Sequence, residues 1–259
     1  MRIALGVEYD GTHFCGWQRQ AEGRTVQGCV EQALSTVADH PLQVVCAGRT
    51  DTGVHATGQV IHFDTGAVRN SRAWVRGGNA NLDGDIRVQW ATPVAADFHA
   101  RFAARQRHYR YIILNRATGS ALLRNRVCLE HLRLDASRMA VAAGHLVGEH
   151  DFTSFRAAAC QAHSPVRTIH QLEVHRSGDF IYIDVRANAF LHHMVRCIAG
   201  VLIAVGRGEQ RPQWVGEVLA AADRTLSGFN ATPAGLYLVG VRYPEMFELP
   251  AAGWLPAYG

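Results

Sequence analysis

The sequence predicts an α+β fold of two mixed α/β halves with a largely antiparallel sheet. Its strand and helix patterns mix rather than alternate strictly, which argues against a doubly wound parallel sheet. At 259 residues the chain is long enough for one large domain or two moderate ones. Apolar residues at 48% and charged residues at 19% are ordinary values for a globular protein with a real core.

The elements follow in order. Residues 2–9 form a strand that stops at the turn signal Asp10-Gly11. Thr25 is an N-cap for a helix over 26–38, on which Val26, Val30, Leu34 and Val37 make one apolar stripe. A short strand from Leu42 to Cys46 leads into the polar loop 48–55, with another strand near 58–64 and a helix over 72–81. Residues 85–91 and 107–114 are strands. The second half repeats this style without sequence repetition. A helix spans about 135–147, strands lie near 168–176 and 180–187, helices near 189–206 and 212–222, and a strand near 236–243. A boundary near 104 divides an N-terminal domain, 1–104, from a C-terminal domain, 105–247. The chain after Pro244 is rich in Pro, Ala and Gly, and 248–259 reads as an irregular tail.

Several chemistries are disfavoured. The six cysteines, at 15, 29, 46, 128, 160 and 197, contain no CxxC pair and read as free thiols. Fourteen histidines invite a metal reading, but there is neither HExxH nor an HxH cluster, and His192 and His193 would point to opposite sides of any helix or strand. No metal is expected. All 26 basic residues are arginine, so Schiff-base, lysine-nucleophile and Walker-lysine mechanisms are excluded. Glu8 and Asp10 arrive before any signal-peptide apolar region, and no stretch is long and apolar enough to span a membrane, so a cytoplasmic protein is expected.

The net charge of +4 does not by itself point to nucleic acid. Its distribution says more. Arg101, Arg105, Arg107, Arg110, Arg116, Arg124 and Arg126 crowd one stretch, interleaved with Tyr109 and Tyr111. Arginine grips phosphate with two parallel donors and stacks on bases, so this mixture points to RNA more than to a solvated face.

The segment with most chemistry is Gly48-Arg49-Thr50-Asp51-Thr52-Gly53-Val54-His55. Two glycines bracket a carboxylate that has an arginine two residues before it. In isolation this is equally well a tight turn whose aspartate caps its own backbone. Its company decides. Gly48 to Ala56, with Gly58-Gln59-Val60, resembles the catalytic motif of the tRNA pseudouridine synthase A family, except that Thr52 replaces the usual alanine. Glu8-Tyr9-Asp10-Gly11 with Gly16-Trp17-Gln18-Arg19-Gln20 resembles that family's N-terminal signature. So do further blocks in order: Thr25-Val26-Gln27, Asn79-Ala80-Asn81-Leu82, Asp97 to Phe102, Tyr109-Arg110-Tyr111, Asp151 to Arg156, Asn188 to Arg196 and Gly235 to Leu238. Several ordered blocks are far more specific than any single motif. His108 is a second departure, at a position usually basic.

The resemblance implies a pseudouridine synthase-like fold with the active-site cleft between its halves, and isomerisation of uridine to pseudouridine at tRNA positions 38–40. It further implies no cofactor and a homodimer that binds tRNA. Asp51 would be the essential carboxylate, attacking ribose C1′ or abstracting a ribose proton. Either route needs a charged carboxylate and a nearby cation. Arg196 would pair with it, and Arg49 would contact the RNA backbone or support the loop. Tyr109 would stack on the extracted uracil and take the C5 proton, and Leu236 would wall the base. Two rivals are a non-catalytic RNA-binding protein and a hydrolase using Asp51 as nucleophile, which would require a second carboxylate. A metal-dependent enzyme is a third.

Overall fold

The structure, a computed structural model, describes residues 1–227, 230–250 and 253–258. The chain forms two compact units. The first comprises Met1–Arg107 and Tyr237–Pro256, the second His108–Leu236 with Ala257–Gly259.

In the first unit, β1 (Arg2–Tyr9) leads to α1 (Val26–Ala38), β2 (Val45–Cys46), β3 (His55–Asp64), α2 (Ser71–Asn81) and β4 (Ile86–Val94). β1 runs antiparallel to both β3 and β4, with Leu5 opposite Ile61 on one side and Ala91 on the other. A strand flanked on both sides and covered by helices needs apolar residues on both faces. Accordingly six of the eight β1 residues are buried, as are all of β3 except Asp64. α1 begins where its sequence says, with the Thr25 hydroxyl accepting the Gly28 amide. It ends at Asp39 in left-handed conformation, and its buried stripe is Val26, Val30, Ala33 and Leu34. α2 packs on α1 so closely that a Cβ at Gly77 would sit 2.8 Å from Val37 Cγ2. The short strand expected from Leu42 is confined to Val45–Cys46, paired with His62 and Ile61.

The second unit contains β5 (Gln106–Asn115, whose first two residues belong to the first unit), β6 (Cys128–Glu130), α3 (Ala136–Gly144), β7 (Gly148–Asp151), β8 (Val166–Ser177), β9 (Phe180–Ala187), α4 (Met194–Gly206) and α5 (Trp214–Ala221). Its strands lie in the order β5-β9-β8-β7, with β6 parallel to β5. β8 and β9 form a long hairpin through Gly178, which has positive φ. α4 is buried along nearly its whole length. From Tyr237 the chain is back in the first unit, where β10 (Leu236–Arg242) pairs parallel with β3, Tyr237 opposite His55.

The α+β class with largely antiparallel pairing agrees with the sequence. One element does not. The helix expected from 189 starts only at Met194, because His193 has φ 65° and breaks the helical path. Residues 189–191 are irregular and 192–193 form a turn into α4. β6 and β7, of three and four residues, have no counterpart in the expected elements.

Candidate active site

In the first unit the candidate carboxylate lies in the loop between β2 and β3. Val54 N–H donates to Asp51 O at 3.1 Å, closing a four-residue turn with Gly53 at φ 76° in its third place. That is where a type II turn needs a residue tolerant of positive φ. Asp51 is half-buried at the first position, Thr52 is exposed, and Arg49 is exposed at the loop entrance.

The backbone of this turn is gripped by the N-terminal signature. Trp17 N–H donates to Thr50 O at 3.0 Å. The Tyr9 and Thr50 hydroxyls are 2.9 Å apart, both buried. The fully buried Gln59 side chain closes on Gly48 as a fork, donating to Gly48 O at 2.6 Å and accepting from Gly48 N at 3.4 Å. Gly16, at φ 87°, lies so close that a Cβ would come within 2.8 Å of Thr50 O and 3.1 Å of Asp51 C. Gly11 is pressed as tightly on Val54 O, and its N–H donates to His55 Nδ1 at 3.0 Å. His55 in turn stacks on Tyr237, 4.7 Å between rings. Beneath the loop, Trp17 is buried beside Tyr9; burying a large aromatic stabilises by about 2–3 kcal/mol. Each buried hydrogen bond adds about 1 kcal/mol, and each orphaned partner would cost about 1–3 kcal/mol. The position of Asp51 is thus fixed by its neighbours' backbone contacts.

The guanidinium of Arg107 extends this brace. It donates to Ala47 O at 3.1 Å and to Arg101 O at 2.6 Å, tying the loop entrance to the 97–102 segment. Burial pushes the Cys46 thiol up to about 12, although Arg49 and Arg101 both lie near enough to draw it down.

The second unit holds the other predicted residues. Tyr109 is buried on β5, edge-to-face with Phe190 at 5.0 Å. Tyr111 shares its strand face and donates from its hydroxyl to Thr232 O at 2.8 Å. Arg196, half-buried on α4, donates from Nε to Ala231 O at 2.9 Å, and Ala231 N–H returns a bond to Arg196 O. The segment 231–235 therefore links β5 to α4. It ends at Gly235, where a Cβ would meet Ile112 O at 2.7 Å, and delivers the buried Leu236 to the start of β10. Arg196 and Leu236 adjoin the 231–235 segment of this unit and Tyr109 lies on its β5; Asp51 and Arg49 share the loop of the first.

Two expectations change. His192 and His193 do not oppose each other: they precede α4, their rings 4.1 Å apart, and His193 Nδ1 accepts from Asn230. Asn230 also accepts from the Cys197 thiol, a clamp with no signal in the sequence. The arginine stretch is likewise divided between the two units and between roles. Arg101, Arg105 and Arg107 belong to the first unit and the other four to the second. Arg107 serves as the brace described above. Arg110 is buried in a two-pronged pair with Asp184 at 2.7 and 2.9 Å, which His108 joins at 3.0 Å. The histidine at this usually basic position thus faces a carboxylate. Tyr9, Gly16 and Gln59 lie within blocks legible in the sequence, but only the geometry assigns them a positioning role.

A soft turn would blur the reach of a single carboxylate; a braced one presents it to a substrate in one pose. The comparisons with known proteins give the class, an RNA-modifying isomerase of the pseudouridine synthase type. A family profile described as tRNA pseudouridine synthase matches residues 6–103 and 142–244. A tRNA pseudouridine synthase A from Nitrosococcus oceani is 59% identical over 250 residues, 96% of each chain. Counterparts from Alcanivorax borkumensis and Vibrio parahaemolyticus are 54% and 56% identical, covering 98% and 96% of this chain and 97% and 95% of theirs. The chain belongs to the tRNA pseudouridine synthase family, whose members are isomerases converting uridine in tRNA to pseudouridine. No helix among the described residues is long and apolar enough to cross a membrane.

Proposed function

We propose that this chain converts uridine to pseudouridine at positions 38–40 of the tRNA anticodon arm, with Asp51 as its catalytic carboxylate. The observation that carries this reading is the fixed backbone around Asp51, gripped by Tyr9, Gly16, Trp17 and Gln59. A carboxylate that must meet one sugar carbon gains most from such positioning, since misplacement by about 1 Å can cost about a hundredfold in rate.

The reaction breaks the bond between ribose C1′ and uracil N1, turns the base and joins C1′ to C5. Ionised Asp51 starts it, by attack on C1′ or by removing a ribose proton. Arg196 supplies the cation that favours the charged carboxylate. Tyr109 stacks on the extracted base and accepts the C5 proton, and Leu236 provides an apolar wall. Arg49 meets the RNA backbone at the loop entrance. The uridine is everted from its stack, at about a few kcal/mol, offset by arginine–phosphate contacts. In this reading the enzyme works in the cytoplasm as a homodimer.

The test incubates purified protein with unmodified tRNA and maps pseudouridine chemically. The expected product carries pseudouridine at 38–40, with unchanged mass and no free uracil. Free uracil would point instead to a hydrolase, and modification outside the anticodon arm would overturn the proposed target.

A further inference from the structure

The first unit holds an exposed aromatic ring that its folding does not use. Phe102 is 75% exposed, in a segment otherwise bolted down. Phe98 and Ala100, on either side of His99, are fully buried. Arg2 donates to Phe98 O at 2.8 Å, His62 Nδ1 accepts from Ala100 N–H at 3.1 Å, and the Tyr243 hydroxyl donates to Ala100 O at 2.6 Å. Arg107 holds Arg101 O. The ring itself is also oriented. His99 stacks on it at 4.3 Å and 27°, and its Nδ1 accepts the backbone N–H groups of both Arg101 and Phe102 at 3.2 Å. Burial and the nearby Arg2 cation hold the His99 imidazole below its ordinary range, which keeps that nitrogen available as an acceptor at neutral pH. The Arg101 guanidinium lies 5.5 Å from the Phe102 ring centre, and Arg105, also exposed, follows three residues later.

An apolar ring gains little from being held in water, and ordering it costs entropy. A rigid, exposed aromatic flanked by cations is what single-stranded nucleic acid recognition uses: a base stacks on the ring and its phosphate meets the guanidinium. The location agrees, since Arg107 ties this segment to the entrance of the Asp51 loop.

Resting on the tRNA-modifying role proposed above, we infer that Phe102, backed by His99 and flanked by Arg101, is a stacking platform for an unpaired tRNA nucleotide other than the one isomerised. It adds binding energy outside the reacting uridine and is not a catalytic group.

The test uses the full-length protein with Phe102→Ala, Phe102→Leu, Phe102→Tyr and Arg101→Ala. Thermal unfolding checks folding, tRNA binding is titrated against salt, and kcat and KM are measured separately. Stacking on an aromatic typically contributes about 1–3 kcal/mol per base. Alanine and leucine at 102 should therefore each weaken tRNA binding and raise KM by roughly tenfold, with kcat within about twofold, while tyrosine restores both. Arg101→Ala should lower the slope of log K against log salt by about one. Unchanged tRNA affinity in Phe102→Ala overturns the platform, and so does rescue by leucine. A shift of oligomeric state in sedimentation, with tRNA affinity intact, would make the ring a contact for a second copy of the chain and also overturn it. Wild-type protein that binds tRNA through Phe102 yet forms no pseudouridine would leave the platform standing and remove the catalytic reading.

Discussion

Asp51 and Asp184 are both carboxylates beside strands, and their surroundings differ. Asp184, on β9, is buried and tied by its own oxygens, two to Arg110 and one of those also to His108. Burial alone would push its carboxyl up, but the hydrogen bonds from His108 and Arg110 outweigh it and hold the group down at about 2. Around Asp51 the main chain itself is braced: Gly16, Trp17 and Tyr9 grip Thr50, Gln59 grips Gly48, and Val54 closes the turn. A carboxylate fixed through its side chain stabilises a fold. A braced main chain adds a fixed place from which a carboxylate can meet a substrate, as a reaction demands.

This contrast can be broken at the brace. Gly16→Ala would force a side chain into positive φ and against Thr50 O, displacing the turn. We expect kcat to fall by roughly 10- to 100-fold with tRNA affinity nearly unchanged. An alanine variant with full kcat would mean that the brace does not position Asp51.

It can be sharpened at Asp184. The shift from 3.8 to about 2 corresponds to roughly 2 kcal/mol of stabilisation. Because the folded value lies below the unfolded one, this contribution is complete above about pH 4 and is lost as pH falls towards 2. Asp184→Asn should lower Tm by about 4–8 °C at pH 7, with the difference from wild type narrowing on acidification below pH 4. Calorimetry across that range decides it, and a gap that does not narrow in acid would contradict the paired carboxylate. The folded variant should retain kcat.

The smallest effect is expected at Thr52. Its side chain is exposed, so it does not crowd the turn. Thr52→Ala should change kcat by less than about twofold, since surface substitutions away from such contacts are mild. A larger change in steady-state turnover would give this hydroxyl a part in the reaction.

Much of the fold could be read from local chemistry. The Thr25 cap and the apolar stripe gave α1 its observed bounds, and the strand read at 180–187 is β9. Failures came where tertiary contacts set the local structure. Nothing in Ala189-Phe190-Leu191-His192-His193 forbids a helix, and only the left-handed backbone at His193 stops it. β6 and β7 are too short to show a period and are strands because β5 and β8 lie alongside. The return of the chain at Tyr237 to pair with His55 is a contact between distant residues that no local pattern encodes. At the site, the glycines around Asp51 were visible as glycines, whereas the need for Gly16 appears only with Thr50 lying against it. The arginine stretch was legible only in part for the same reason. Spacing cannot separate Arg110, buried on Asp184, from Arg101, exposed beside Phe102.

The most direct test is tritium release from tRNA labelled at uridine C5, measured for Asp51→Asn and Asp184→Asn at a temperature where both are folded. Asparagine keeps the shape of each side chain and removes its charge. The account predicts no detectable release from Asp51→Asn despite wild-type tRNA binding, and near wild-type release from Asp184→Asn. Release by Asp51→Asn at the wild-type rate would contradict it.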